Sequence, residues 1–183
     1  MKFILGYPVF SANLELQKEW KMHNHKNDYK NLLIGILLGL LITLCLDLLI
    51  TFLGLWNFDF SIIKNLYLLI LIIPLHELIH LIFFPCFSNA TIGFSPKKLI
   101  FYVTTEDEIS KIRFLIIAIM PFILLTILPL IIFFYWQYYI IAQFALLNAL
   151  ASGIDLKSFF YIYRQPNGSV FKMVGSALYS KII

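Results

Sequence analysis

Charge is what this sequence has least of: of its 183 residues only 13% are Asp, Glu, Lys or Arg, while 61% are hydrophobic. An ordinary soluble domain is about a quarter charged and about half apolar, so that class is excluded. Cysteine is scarce, with 2 residues. No disulfide framework can be built from Cys45 and Cys86, which lie inside or at the end of apolar runs and read as small buried hydrophobes. Glycine numbers only 8, which excludes a collagen-like chain, and the abundance of apolar side chains excludes disorder. The net charge of +4 is scattered. Without a basic block there is no footprint for nucleic acid, and none is expected as a partner.

What is present is apolar length. Four stretches, about 32–55, 61–85, 112–136 and 139–162, are long and apolar enough to span a bilayer. The expected fold class is an all-α polytopic membrane protein with four transmembrane helices. Residues 1–31 read as a retained cytosolic arm, because the opening apolar run is broken by Gly6 and Pro8 and has no cleavage site after it. That arm carries Lys2, Lys18, Lys21, Lys26 and Lys30; the connection between the second and third spans carries Lys97, Lys98 and Lys111; the tail, 163–183, carries Arg164, Lys172 and Lys181. The two other connections, near Trp56–Phe60 and Gln137–Tyr138, carry no Lys or Arg. Both termini are therefore expected in the cytosol of a multi-pass protein of a bacterial cell membrane. In the connection 86–111, Thr91–Phe94 and Leu99–Val103 are rich in β-branched and aromatic residues and flank Ser95, Pro96, Lys97 and Lys98. The expectation is a short β-hairpin over 91–103 at the cytosolic surface.

Ionisable groups inside spans are expensive and therefore informative. They are few here: Asp47, Lys64, His76, Glu77, His80 and Asp155. Three of them belong to one motif, HELIH, over 76–80. On a helix His76 and His80 project from one face and can bind a single zinc ion, with Glu77 beside it as a general base. A catalytic zinc needs a third protein ligand and an open position for water. His23 and His25 would reach the site only if the arm folded back, so a carboxylate is the better candidate, and depth discriminates among them. His80 and His76 lie roughly 8 and 14 Å from the cytosolic end of the second span, Asp155 roughly 10 Å from that end of the fourth, and Asp47 roughly 22 Å deep. Asp155 matches and Asp47 does not. Asn148, Ser152 and Asp155 are spaced so as to line one face of the fourth helix. Glu106, Asp107 and Glu108 read as a solvated charge run.

HELIH, followed a hairpin and one span later by Asn148, Ser152, Gly153 and Asp155, resembles the small zincin peptidases of the DUF3267 family and, more distantly, the site-2 type of membrane-embedded zinc proteases. The resemblance covers residues 61–162, a three-helix metalloprotease core. It implies one Zn2+ per chain held by His76, His80 and Asp155, with Glu77 as the base and Asn148 near the substrate, donating to its carbonyl or the oxyanion. The expected substrate is a peptide or transmembrane protein cut near the cytosolic face, an unwound segment adding as a strand to the hairpin edge. The chain has SGID where better-known site-2 proteases carry an Asp-Gly motif, and has no PDZ domain, so substrate selection does not carry over. The rival is a non-catalytic zinc-binding membrane protein, a pseudoprotease or immunity-type partner binder. Against it stands Glu77, for which a purely structural zinc has no use. A metal transporter would need further polar groups along a path, and the outer halves of the spans offer little beyond Asp47 and Lys64.

Overall fold

A computed structural model describes residues 2–5, 20–22, 28–55, 64–86, 89–95, 100–105, 107–174 and 177–182. Its helices are α1 (Asp28–Phe52), α2 (Leu69–Phe83, entered through a 3-10 turn at Leu66–Leu68), α3 (Lys111–Phe122), α4 (Leu128–Trp136), α5 (Tyr139–Ala151) and α6 (Gly153–Tyr163). A π-helical segment, Ile123–Ile127, joins α3 to α4 without a break in the rod. Three helices are long and apolar enough to cross a membrane, Lys30–Phe52, Leu66–Phe83 and Lys111–Trp136; α5 and α6, bent by 52° at Ser152, make a fourth if the pair is one span. α4 and α5 are joined by Gln137 and Tyr138 alone, with Gln137 in the left-handed conformation at φ 54° and its N–H donating to the Phe133 carbonyl at 2.8 Å. The connection near Trp56–Phe60 lies outside the described residues.

The chain is mostly helical, but it carries more β-structure than one hairpin. β3 (Ala90–Ser95) and β4 (Ile100–Thr105) pair antiparallel, with Ile92 opposite Val103 and Gly93 opposite Tyr102, and β1 (Lys2–Leu5) joins the outer edge of β3 in parallel. A second sheet runs β2 (Lys21–Met22), β7 (Ala177–Ile182), β6 (Ser169–Val174), β5 (Ile109–Ser110), all antiparallel. Arm and tail, to which no secondary structure was assigned from the sequence, thus contribute strands. In β6 the alternation is legible in the burial: Ser169 and Phe171 are buried while Val170 and Lys172 are half-buried, the period of a strand lying on a core.

Both sheets sit at one end of the helices. The Lys157 ammonium in the middle of α6 donates to Asn31 Oδ1 near the start of α1, at 2.5 Å; the Arg113 guanidinium near the start of α3 donates to the carbonyls of Phe83 and Phe84 at the end of α2; and Lys111 donates to the Gln165 carbonyl, just past the end of α6. The starts of α1 and α3 therefore meet the ends of α2 and α6. Leu81, Phe84, Ile109, Phe114, Ile162 and Phe171 form one apolar cluster under the sheets. At the far end Ile50, Leu130, Phe133, Ala142 and Leu146 form another. Between them lies a polar layer.

The two cysteines depart from expectation. Both are exposed rather than buried, because α1 packs through its glycine face against α6 and turns Cys45 outward, toward lipid in a membrane, while Cys86 follows the last turn of α2.

Candidate metal centre

The polar layer is assembled from α2, the α3–π–α4 rod and the bent α5–α6 pair. On α2, His76 is buried and His80 half-buried, one turn apart, with ring centroids 4.9 Å apart. From α6, Asp155 reaches both. Its Oδ2 lies 2.8 Å from His76 Nε2 and its Oδ1 lies 3.5 Å from His80 Nε2. One ligand atom from each of the three residues falls within 4.8 Å of the others. Tetrahedral zinc with bonds of about 2.0–2.1 Å needs ligand atoms about 3.3 Å apart, so the set fits a single zinc ion.

The far side of each ring strengthens the fit. His80 Nδ1 lies 2.9 Å from the Ile117 carbonyl on α3, and His76 Nδ1 lies 3.0 Å from Asn148 Oδ1 on α5. Metal-bound histidines commonly donate their second ring N–H to such an acceptor, and here both Nε2 atoms are left facing Asp155. Three protein ligands would leave a fourth position for water. Two of the three, His80 and Asp155, line a cavity of about 250 Å³ together with Glu77, Tyr102, Val103 and Met173, among others. Glu77 is not in the ligand set; it lies close enough to His80, His76 and Asp155 to feel their charges, and it accepts a hydrogen bond from the Val103 backbone N–H on β4.

The residues expected from the sequence separate into those the fold brings together and those it does not. His76, Glu77, His80 and Asp155 converge. Asn148 meets the site through His76 rather than through the cavity: it has no exposed surface and is absent from the cavity wall. Its amide nitrogen faces the Pro121 carbonyl, Thr126 Oγ1 and Ser152 Oγ. The reason is the bend at Ser152, which aims α5 behind the His76 ring and α6 in front of it. His23, His25 and Glu106 lie outside the described residues. Asp107 is held by Asn89 at 2.7 Å and by Thr105, Glu108 pairs with Lys181 at 3.1 Å, and neither belongs to the ligand group. Asp47 and Lys64 are likewise outside it.

Three contributors were missed in the sequence. The Ile117 carbonyl and the Val103 N–H are backbone groups, which no residue type announces. Thr126 did carry a signal, a polar residue within an apolar run between Pro121 and Pro129.

A family model described as putative zincin peptidase, DUF3267, matches residues 69–170. That is more than half of the chain and runs from the first residue of α2 into β6. No curated protein and no solved structure matches.

Proposed function

The chain belongs to the DUF3267 family of putative zincin peptidases, and from that membership and the geometry of the centre we propose that it is a membrane-embedded zinc metallopeptidase cutting membrane-associated or transmembrane substrates near the cytosolic face. The observation that carries this reading is the convergence of His76, His80 and Asp155, with Glu77 beside them on an open cavity.

Zinc held by those three side chains would supply the Lewis acidity that activates a water and polarises the scissile carbonyl. The remaining work falls to the chain. Glu77, fixed by the Val103 N–H, accepts the proton of the attacking water on its carboxylate and returns it to the leaving amine. The Ile117 carbonyl and Asn148 keep the two imidazoles aimed. Phe84, Phe114 and Ile117 make the far wall of the cavity apolar, which suits a hydrophobic side chain of an unwound segment. Among the described residues β1 occupies the outer edge of β3, leaving β4 as the open edge of its sheet. Tyr102 and Val103 of β4 line the cavity, so an extended substrate added there would lie across it.

Four spans with both termini cytosolic follow from taking α5–α6 as one bent span. Among the described residues Lys21, Lys30, Lys111, Lys172 and Lys181 then share the end that carries both sheets.

Replacement of Glu77 by Gln tests the proposal, because the amide cannot accept a proton while the ligand set is untouched. Zinc content should stay at the wild-type level, and cleavage should fall by about 10² to 10⁴-fold. Peptides released by wild type and not by the variant identify substrates. Cleavage that survives Glu77→Gln but not His76→Ala would leave zinc a structural or partner-binding role and remove the peptidase reading.

A further inference from the structure

Which ring nitrogen His76 offers to a metal is decided by the hydrogen bonds behind it, and these run across two spans. The amide nitrogen of Asn148 has three oxygen neighbours: the Pro121 carbonyl at 3.1 Å, Thr126 Oγ1 at 3.0 Å and Ser152 Oγ at 3.2 Å. All three can only accept from it. A carbonyl has no proton. The Thr126 hydroxyl spends its proton on the Ala145 carbonyl at 3.2 Å and the Ser152 hydroxyl on the Asn148 carbonyl at 2.8 Å, so both oxygens present lone pairs to the amide. Turned over, the amide would set its oxygen against three acceptors at a fully buried position, where an unpaired polar atom is costly. Only one orientation remains. Oδ1 faces His76 Nδ1, which therefore carries a proton, and Nε2 is left as the ring nitrogen facing Asp155 Oδ2, at 2.8 Å.

The π-helical segment makes this arrangement possible. Pro121 and Thr126 are five residues apart, and on a regular α-helix such positions point about 140° away from each other. A π turn, with its i to i+5 repeat, brings them toward one face. Flanked by Pro121 and Pro129, the segment Ile123–Ile127 therefore delivers a carbonyl and a hydroxyl to the same amide group.

We propose that Thr126, Asn148 and Ser152 form a positioning relay that runs from the π segment to His76 and fixes the ring so that Nε2 is always the metal-facing nitrogen. The proposal rests on the metallopeptidase reading and goes beyond it, because it assigns to Thr126 and the π segment a part in holding the metal.

The test measures zinc affinity of the full chain in detergent by chelator competition, together with the visible absorption spectrum after cobalt substitution, for Asn148→Leu, Thr126→Val and Thr126→Ser. Loss of such supporting groups typically weakens metal binding about 10 to 100-fold. Asn148→Leu is expected in that range and Thr126→Val at its lower end, each with a shifted cobalt spectrum. Thr126→Ser, which keeps the hydroxyl and loses only a methyl, should restore both affinity and spectrum. If Asn148→Leu does not fold, the Thr126 pair decides. Wild-type affinity in Thr126→Val, or equal loss in Thr126→Val and Thr126→Ser, would overturn the relay and leave the peptidase reading standing. A wild-type protein that binds no zinc would overturn both.

Discussion

Asp155 is the residue on which the two histidines depend, since it approaches both Nε2 atoms from a different span. Asp155→Ala should weaken zinc binding by more than about 100-fold, beyond what loss of a supporting hydrogen bond costs, and Asp107→Ala should leave zinc content unchanged because its carboxylate serves Asn89 and Thr105. Elemental analysis of the two purified variants checks the pair; zinc lost from the Asp107 variant and kept by the Asp155 variant would transfer the third ligand to the loop. His76, Glu77 and His80 were legible from motif spacing, and Asp155 from its depth along the fourth span. Asn148 was legible as a polar residue facing protein but not in its place, because spacing along a helix gives a face and not which side of a ring that face meets.

At the scale of elements, the bend at Ser152 separates Asn148 from Asp155, and a close backbone contact accompanies it. Gly153 stands against Gly35 and Gly39 of α1, so near that a Cβ there would collide with the Gly35 carbonyl oxygen and the Gly39 backbone. No rotamer relieves a clash with backbone. Gly153→Ala should therefore push α1 and α6 apart, destabilise the protein by about 1–3 kcal/mol, and weaken zinc binding, because Asp155 lies only two residues on. Gly35→Ala should cost less, since the atoms met first belong to the Ile154 side chain as well as its backbone. Thermal melting in detergent with zinc measured on the same samples gives both orders; a Gly153→Ala protein as stable and as metal-rich as wild type would show that α1 is only an anchor. The apolar runs located the three long apolar helices and the bent pair to within a few residues. The bend was not, since Gly153 marked a place for close approach or bending without saying which way the helix turns.

On the whole molecule, the two sheets gather the arm, the long connection and the tail at one end. With Cys45 and Cys86 first replaced, as both side chains are exposed, an impermeant thiol reagent applied outside intact cells should label Gln137→Cys and not Lys172→Cys. The reverse pattern would invert the protein in the membrane. Hairpin residues were legible from their β-branched and aromatic content, but β2 and β5 are two residues long and β1 depends on a partner far along the chain, so local composition could not announce them. That pairing has a consequence in time. β1 and β2 leave the ribosome before their partners: β1 must wait for β3, and β2 for β7, whose Lys181 ammonium also lies 4.7 Å from the centre of the Trp20 ring. Met173, on the cavity wall, lies in β6, which pairs with β7 along its whole length. A nascent chain halted before Ala177 holds His76, Glu77, His80 and Asp155, but not the strand that pairs with both β2 and β6, so the wall of the cavity is completed after the polar groups it encloses.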